Sequence, residues 1–268
     1  MSLNIKAYVM LVLASIFWAG NFIIGKFAFV ESISPFSLVF FRWLTVWFIL
    51  LPFTYKEILS KKKEISNYLP LLLFLGLTSV GLFNSFVYVS LQYTQVINAS
   101  LFNTAIPAAI ILSCFIFKIE KTNFYQLLGL LISVLGILVI ITKFNLNILL
   151  NLDFNIGDIW MIGAVICWGL YSSFLKKLKL KISLLSFVHI VCTCGLIFLL
   201  PQFSYEYFQG NSATIDKTFI YCLIYLALFP SIGSYYCWAG AVSIIGPNRS
   251  GIFLSLIPLF STFMAMFF

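Results

Sequence analysis

Charged residues are scarce in this chain of 268 amino acids. They make up 9% of the residues, whereas apolar residues make up 62%, and the mean hydropathy is +1.07. A soluble domain of this length needs far more charge to cover a surface that faces water. The composition therefore excludes a water-soluble globular protein.

The sequence also lacks the alternation of polar and apolar residues that a membrane β-barrel requires. Its apolar residues fall into long blocks, such as residues 8–24 and 127–141, separated by short charged or turn-forming stretches. Inside hydrocarbon every peptide group needs an internal partner, so such blocks must be helices. The predicted fold class is all-α, a polytopic transmembrane helical bundle with about nine spans. The approximate spans are 8–28, 35–53, 68–91, 96–117, 123–142, 158–176, 183–203, 218–240 and 249–268.

Side chains for catalysis or metal binding are few. The chain has 1 histidine and 6 cysteines, and the cysteines all lie in apolar runs, where they serve as small packing residues rather than as a disulfide framework. No aspartate or glutamate is embedded in a predicted span, since Asp158 stands at the very start of one. The sequence therefore predicts no catalytic residue, no metal site and no cofactor, and a membrane-embedded enzyme is a weaker alternative.

Basic residues are distributed unevenly between the predicted loops. If the N-terminus is cytoplasmic, only Lys26, Lys143 and Lys217 of the 16 basic residues lie on the outer face. Twelve others lie on the cytoplasmic side: Lys6, Lys56, Lys61, Lys62, Lys63, Lys118, Lys121, Lys176, Lys177, Lys179, Lys181 and Arg249. This asymmetry predicts a multi-pass plasma-membrane protein with a cytoplasmic N-terminus. The net charge of +8 thus reflects topology, and no nucleic-acid partner is predicted.

Segments of the first half recur in the second. The matching pairs are Trp18–Lys26 with Trp168–Lys176, Phe48–Pro52 with Ile197–Pro201, and Phe102–Pro107 with Phe253–Pro258. Their offsets of 150, 149 and 151 residues are nearly equal, which indicates a duplication. A unit of five spans is odd, so the second copy starts on the opposite side and the repeats are inverted. We expect one repeat at 1–145 and the other at 155–268, with a substrate site near the midplane between them.

The second repeat is predicted to be incomplete. In the first, Pro107 is followed by a fifth helix with Gly129 and Gly136 on one face suited to close packing. Pro258 is followed by only 10 residues, so the counterpart of that helix is missing and the C-terminus is expected outside. A homodimer or a complementing helix from a partner would supply it. A truncated or partner-dependent protein that does not transport is therefore an alternative function.

Several of these segments resemble one transporter family. They are the Trp18-Ala-Gly-Asn-Phe22 run, Pro35 through Arg42, Pro107 followed by Glu120, the Gln126, Gly129, Gly136 pattern, and Gly157-Asp158 leading to Trp168. Together they are similar to the ten-helix branch of the drug/metabolite transporter superfamily, which is built from two EamA-type repeats. The resemblance covers nearly the whole chain. It implies export of amino acids or related metabolites across a bacterial inner membrane, through a cavity lined by both halves. It further implies that loss of the tenth helix exposes the Gly129 and Gly136 face without removing the cavity.

Polar side chains inside spans are candidate site residues because they are costly there without a partner. Arg42 is either a ligand for a substrate carboxylate or a structural arginine that reaches helix-end carbonyls or the interface. His189 is either a proton-coupling residue or a hydrogen-bonded packing residue. Lys26 and Lys176, at helix ends, are expected to reach the interface. Without an embedded acid, we expect gradient-driven transport or coupling through His189.

A larger set of amide and aromatic side chains is predicted to line the cavity. It comprises Trp18, Asn21, Asn84, Tyr88, Asn98, Asn103, Trp168, Tyr171, Tyr235 and Trp238. Amides bind the amino and carboxyl groups of a zwitterion, and rings form apolar walls, although rings also collect at membrane interfaces. Trp18 and Trp168 stand out because they lie mid-helix at equivalent places in the two repeats. Pro107 and Pro258 are predicted gating bends, since each weakens a helix near its middle.

Overall fold

The computed structural model describes residues 3–30, 33–121, 123–142, 155–210 and 215–267. All regular secondary structure in these ranges is helical, as the long apolar blocks predict. The main helices are α1 (Leu3–Val30), α2 (Pro35–Ser60), α3 (Leu69–Tyr93), α4 (96–116), α5 (Phe124–Thr142), α6 (Ile156–Leu175), α7 (Leu184–Phe208), α8 (Lys217–Ile245) and α9 (247–265). A short helix, Lys62–Asn67, joins α2 to α3.

The predicted membrane fold is confirmed. Among the described residues, 7 helices, α1 to α4 and α6 to α8, are long and apolar enough to cross a bilayer. Helices α5 and α9 occupy the places of the fifth and ninth predicted spans, and the total of nine stays a prediction. Several helices continue beyond their predicted ends, among them α2, which reaches Ser60, and α7, which reaches Phe208. Glu57 and Glu206 therefore belong to helices, although the sequence placed them in loops.

Irregular helical turns recur at one spacing along the chain. A π-helical segment, Leu77–Leu82, interrupts α3, and Ala227–Gly233 interrupts α8 after 150 residues. In the same way a 3₁₀ turn, Phe102–Ala105, divides α4, and Ile252–Ser255 divides α9. Such turns shift the hydrogen-bonding register, so some backbone carbonyls become free for side chains. The recurrence agrees with the predicted duplication, and the division at 1–145 and 155–268 remains a prediction.

The two predicted gating prolines lie directly after the 3₁₀ turns. Pro107 is at the start of the resumed helix Ile106–Ile116, and Pro258 is in the first turn of Leu256–Ala265. A proline in the first turn loses no helical hydrogen bond, because N–H groups there have no partner within the helix. The hydrogen-bonding pattern of each helix therefore changes at the 3₁₀ turn, and the proline lies just after that change.

Antiparallel helix pairs join the two halves of the chain. In the pair α3 and α6, the rings of Phe74 and Phe174 are 4.8 Å apart, and those of Phe86 and Trp160 are 5.2 Å apart. Helices α1 and α8 pair similarly, and Ser234 donates a hydrogen bond to the carbonyl of Ala14 at 3.2 Å. Helices α2 and α7 form the third pair. The buried core therefore draws on both halves, which brings distant residues together at its centre.

Helices α3 and α7 approach each other closely at Gly76 of α3, and this contact predicts a large effect of adding one methyl group. A Cβ atom at Gly76 would lie 2.8 Å from the Gly195 nitrogen and 2.9 Å from the Val191 carbonyl oxygen on α7. These are backbone atoms that cannot rotate away. We expect Gly76→Ala to destabilise the protein by roughly 1–3 kcal/mol, measured as a lower unfolding temperature in detergent micelles.

Gly129 of α5 provides the matched control. No described atom lies within 4 Å of a Cβ built at Gly129 or at Gly136, so this face of α5 is open. Gly129→Ala should leave stability unchanged or raise it by about 0.5–1 kcal/mol, because alanine favours the helix. Equal losses from both substitutions would contradict this description of the packing.

Candidate functional site

Arg42 lies at the centre of the bundle, and its side chain is 1% exposed. Its guanidinium donates to four neutral oxygens: Nε to Ser231 Oγ (2.6 Å), and Nη1 to Asn21 Oδ1 (2.8 Å), Tyr88 OH (2.9 Å) and Asn84 Oδ1 (3.0 Å). These partners come from α1, α3 and α8. The arginine therefore points into the protein, and it neither reaches the membrane interface nor bonds helix-end carbonyls. We call Arg42 and these four partners the arginine cluster.

The π-helical segments orient the partners of Arg42. The amide nitrogen of Asn84 donates to the carbonyl of Ser79 at 2.7 Å, and the same carbonyl accepts from Tyr235 OH at 2.7 Å. Because the amide nitrogen is used in this way, the amide oxygen of Asn84 faces the guanidinium. In α8, Ser231 donates to the carbonyl of Leu226 at 2.8 Å, which leaves its oxygen lone pairs for Arg42. The irregular turns thus build a cluster of acceptors around one cation.

No carboxylate balances this charge within the part of the chain that the structure describes. The ion pair found there joins Lys176 and Glu120, at 2.8 Å and far along α6 from the centre. The Trp43 ring, with its centroid 5.3 Å from Arg42 Cζ, offers only a cation–π contact. A buried cation without a counter-ion is costly in a membrane. The arrangement is therefore suited to an anionic ligand.

An aromatic cluster adjoins the arginine cluster and consists of Trp18, Trp168, Tyr171, Tyr235 and Trp238. Trp168 is at its middle, with ring centroids 5.0 Å from Trp18, 4.9 Å from Tyr171 and 5.4 Å from Tyr235. Trp238 is 5.6 Å from Trp18. Tyr235 connects the two clusters through its hydroxyl, which lies 3.3 Å from the Asn84 amide nitrogen. The repeat-equivalent tryptophans, Trp18 and Trp168, are thus in direct contact.

Three polar atoms of the aromatic cluster have no hydrogen-bond partner among the described residues. Trp168 Nε1, Trp238 Nε1 and Tyr171 OH are buried and unpaired, whereas Trp18 Nε1 donates to the Pro230 carbonyl at 3.1 Å. An unpaired buried donor costs about 1–3 kcal/mol. Several of them in one place, beside a buried arginine, form a set of donors that a ligand with oxygen acceptors would satisfy.

The space at the centre is small, and a larger space lies to one side. The central cavity, which Asn103 lines together with Trp18, Asn21 and Trp168, measures about 10 Å³, enough for about one water molecule. A vestibule of about 480 Å³ opens at the Lys176 end of the bundle. Its lining residues are Glu120, Leu175, Lys176, Leu178, Leu180, Ile182, Leu184, Phe187, Ala239, Val242, Ser243, Ile244, Ile245 and Gly246. The lining residues Leu175 and Ala239 follow Tyr171 and Trp238 closely in α6 and α8. The vestibule therefore approaches the aromatic cluster from this end.

Some predicted site residues lie elsewhere. Asn98 is exposed. His189 is buried between α2 and α7, where its Nδ1 hydrogen-bonds Thr54 Oγ1 and its ring is 5.5 Å from that of Trp47. Neither Thr54 nor Trp47 belongs to the arginine cluster or to the aromatic cluster. Lys26 donates to the carbonyls of Leu91 and Thr94, at 2.9 and 3.2 Å, at the end of α3.

Sequence reasoning missed Ser231 and misplaced the acids. A serine is unremarkable in a helix, and only its position directly after Pro230 in an apolar run hinted at an irregular turn. The sequence placed Glu206 in a loop, whereas it lies in the last turn of α7, is only 8% exposed and accepts three hydrogen bonds from the N-terminus of α2. Within the described ranges, no group of three or more His, Cys, Asp and Glu side chains is placed to hold a metal ion.

Comparison with known proteins gives consistent matches. The chain is 28% identical over 266 residues to an uncharacterized transporter of Archaeoglobus fulgidus, covering 99% of this chain and 90% of that protein. It is 25% identical to the uncharacterized transporter YyaM of Bacillus subtilis, covering 96% and 84%, and 27% identical to an uncharacterized transporter of Clostridium kluyveri, covering 97% and 85%. The model of the EamA-like transporter family matches residues 5–142 and 155–268. With this match over nearly its whole length, the chain belongs to the EamA-like transporter family.

Proposed function

We propose that this membrane protein is a secondary transporter that exports a small metabolite carrying a carboxylate, most simply an amino acid or a related compound. The observation that carries the proposal is Arg42, a buried cation held by neutral oxygens without a counter-ion among the described residues. A substrate carboxylate would supply the missing charge through two parallel hydrogen bonds. No catalytic step is needed, and we assign no catalytic residue or cofactor.

The neighbouring side chains complete a site for a zwitterion with an apolar side chain. The amide oxygen of Asn84 accepts one hydrogen bond from Arg42 and keeps a lone pair for an ammonium group. That of Asn21, in contrast, accepts from both Arg42 and Tyr88 and would have to exchange a partner. Trp168 and Trp238 provide apolar walls and unpaired N–H donors. Asn103, which lines the small central cavity, would contact the bound molecule once the cavity expands.

The transport cycle we propose is alternating access between two inverted repeats. The narrow centre and the wide vestibule fit a conformation that is closed around the site and accessible from the Lys176 end. The positive-inside distribution favours the cytoplasm for that end and for the N-terminus, in a bacterial plasma membrane. Gating would use the 3₁₀ turns before Pro107 and Pro258. His189 is our candidate for proton coupling.

A second function is favoured by the open face of α5. No described atom approaches Gly129 or Gly136, and flat glycine faces pack against other helices in membranes. The chain would then be active only with a complementing helix, in a homodimer or from a partner.

The deciding experiment is counterflow in proteoliposomes that contain the 268-residue chain. The vesicles are loaded with each of a panel of unlabelled amino acids and diluted into the labelled compound, with and without a proton gradient. We expect saturable accumulation for a subset of the panel, and none with vesicles that hold Arg42→Gln. Flux that appears only after a tenth helix is fused to the C-terminus would support the partner-dependent function. No flux in either form would contradict amino-acid transport.

A further inference from the structure

A carboxylate from the second half of the chain holds the N-terminus of α2. Glu206, near the end of α7, accepts hydrogen bonds at Oε2 from Ser34 Oγ (2.7 Å), Ser37 N (2.7 Å) and Ser37 Oγ (3.2 Å). Ser34 is the N-cap of α2, and its own side chain makes no capping hydrogen bond. The carboxylate therefore caps the helix from another helix, where the positive end of the α2 dipole also stabilises its charge.

An equivalent contact occurs at the other end of the same helix pair. Glu57, near the end of α2, accepts from Ser183 N (2.9 Å) at Oε1 and from Ser183 Oγ and Ser186 Oγ (both 2.5 Å) at Oε2. Ser183 is the N-cap of α7. Lys61 adds a hydrogen bond to the Lys181 carbonyl close by. Each helix of the pair thus caps the other.

The two contacts are equivalent by position as well as by chemistry. The pairs Glu57 and Glu206, Ser34 and Ser183, and Ser37 and Ser186 are each separated by 149 residues. This is the offset of the matching prolines in α2 and α7. One ancestral glutamate–serine contact, duplicated and inverted, accounts for both ends. We call the contact around Glu206 the outer clasp and that around Glu57 the inner clasp, after the predicted topology.

Further hydrogen bonds join α2 and α7 between the clasps. Cys192 Sγ donates to the Trp43 carbonyl at 3.1 Å, and Trp47 Nε1 donates to Thr193 Oγ1 at 3.1 Å. The His189 and Thr54 side chains bond nearer the inner end. Hydrogen bonds therefore join α2 and α7 along their whole length. One of them, at Trp43, involves the residue directly after Arg42.

Both clasps are closed in a single conformation. If they were gates of an alternating-access cycle, the clasp at the end where the vestibule opens would be released. Here both are formed while the vestibule at the Lys176 end is wide and the centre is narrow. We propose that Glu57 and Glu206 are positioning residues that lock α2 and α7 into one rigid pivot, which holds Arg42 in place while the other helices move around it. The proposal rests on the transport function above and extends it to the parts that stay fixed.

The test measures distances across each clasp and needs no transported substrate. Nitroxide labels are placed on the full chain in liposomes through Lys62→Cys with Lys181→Cys at the inner end, and through Phe36→Cys with Phe208→Cys at the outer end. The native cysteines are buried or half-buried, so the introduced thiols react first, and the unsubstituted chain gives the background. Double electron–electron resonance is recorded with and without the mixed amino-acid panel. A third label pair, at Lys121 and Lys177 beside the vestibule, serves for comparison. The distance between these two labels is expected to change when the panel is added.

We expect one narrow distance at each clasp, unchanged by the panel. Glu206→Ala should abolish the narrow distance at the outer end and Glu57→Ala at the inner end, while Glu206→Gln, which keeps an acceptor oxygen, retains it in part. Glu64→Ala removes an exposed acid near the inner clasp and should change nothing. Two distances at either clasp in the unsubstituted background, or narrow distances that persist without both glutamates, would overturn the proposal. Failure of the counterflow assay with narrow clasps would count against the transport function alone.

Discussion

Replacing Arg42 with alanine is expected to abolish transport while the protein still inserts into the membrane. Removing one partner of a buried, charge-assisted pair costs roughly 2–5 kcal/mol, which corresponds to a loss of about 30-fold or more in affinity. Among the described residues Arg42 is the one buried lysine or arginine, so the substrate carboxylate would meet no other permanent cation at the centre. Counterflow in proteoliposomes, normalised to the amount of inserted protein, measures the effect.

Two further substitutions separate charge from shape. Arg42→Lys keeps the charge but loses the paired geometry, so we expect partial loss of flux. Arg42→Gln removes an unpaired buried cation and keeps an amide donor, so its unfolding temperature should equal or exceed that of the unsubstituted protein even though flux is lost. Arg249→Ala, at an exposed arginine, is the matched control and should transport normally. Normal flux in Arg42→Ala would remove Arg42 from the site.

Replacing Trp168 with alanine should also abolish flux. Trp168 contacts Trp18, Tyr171 and Tyr235, so its loss opens a cavity at the middle of the aromatic cluster. Core substitutions of this kind cost about 3–5 kcal/mol of stability, so the loss of transport will be accompanied by a lower unfolding temperature.

Trp168→Phe tests how much the Nε1 donor contributes to ligand binding, apart from the loss of packing. It keeps a ring in place but removes the unpaired Nε1 donor, and we expect an apparent affinity about tenfold weaker with nearly unchanged stability. Trp160→Phe, in the same helix but packed on Phe86 away from the cluster, is the control and should leave the concentration dependence unchanged. Equal effects of the two phenylalanine substitutions, or normal flux in Trp168→Ala, would contradict the assignment of Trp168.

The membrane fold was predictable because hydrocarbon constrains composition locally. Each stretch of about 20 apolar residues must be helical whatever its neighbours do. The repeat assigned Trp18 and Trp168 equivalent mid-helix positions, and their contact with each other is a finding of the structure. The ends of α2 and α7 were missed because charged residues usually end a span, whereas Glu57 and Glu206 lie on helices that continue past the apolar run.

The contacts around Arg42 could not be predicted in the same way. Its partners Asn21, Asn84 and Ser231 lie on three other helices, and no local pattern specifies which faces of these helices meet. The role of Ser231 depends on a π-helical turn, which shifts the register of α8 by a fraction of a turn. Such a shift follows from packing between helices.

The sequence by itself thus determined the helical membrane fold, the repeated segments and the small set of polar residues available to a site. Burial in lipid and helical hydrogen bonding act along the chain, so they can be read residue by residue. The tertiary structure alone decided that Arg42 is buried without a counter-ion among the described residues, that His189 lies apart from it, and that α2 and α7 cap each other. These features arise from contacts between residues far apart in the chain, whose geometry depends on how whole helices pack.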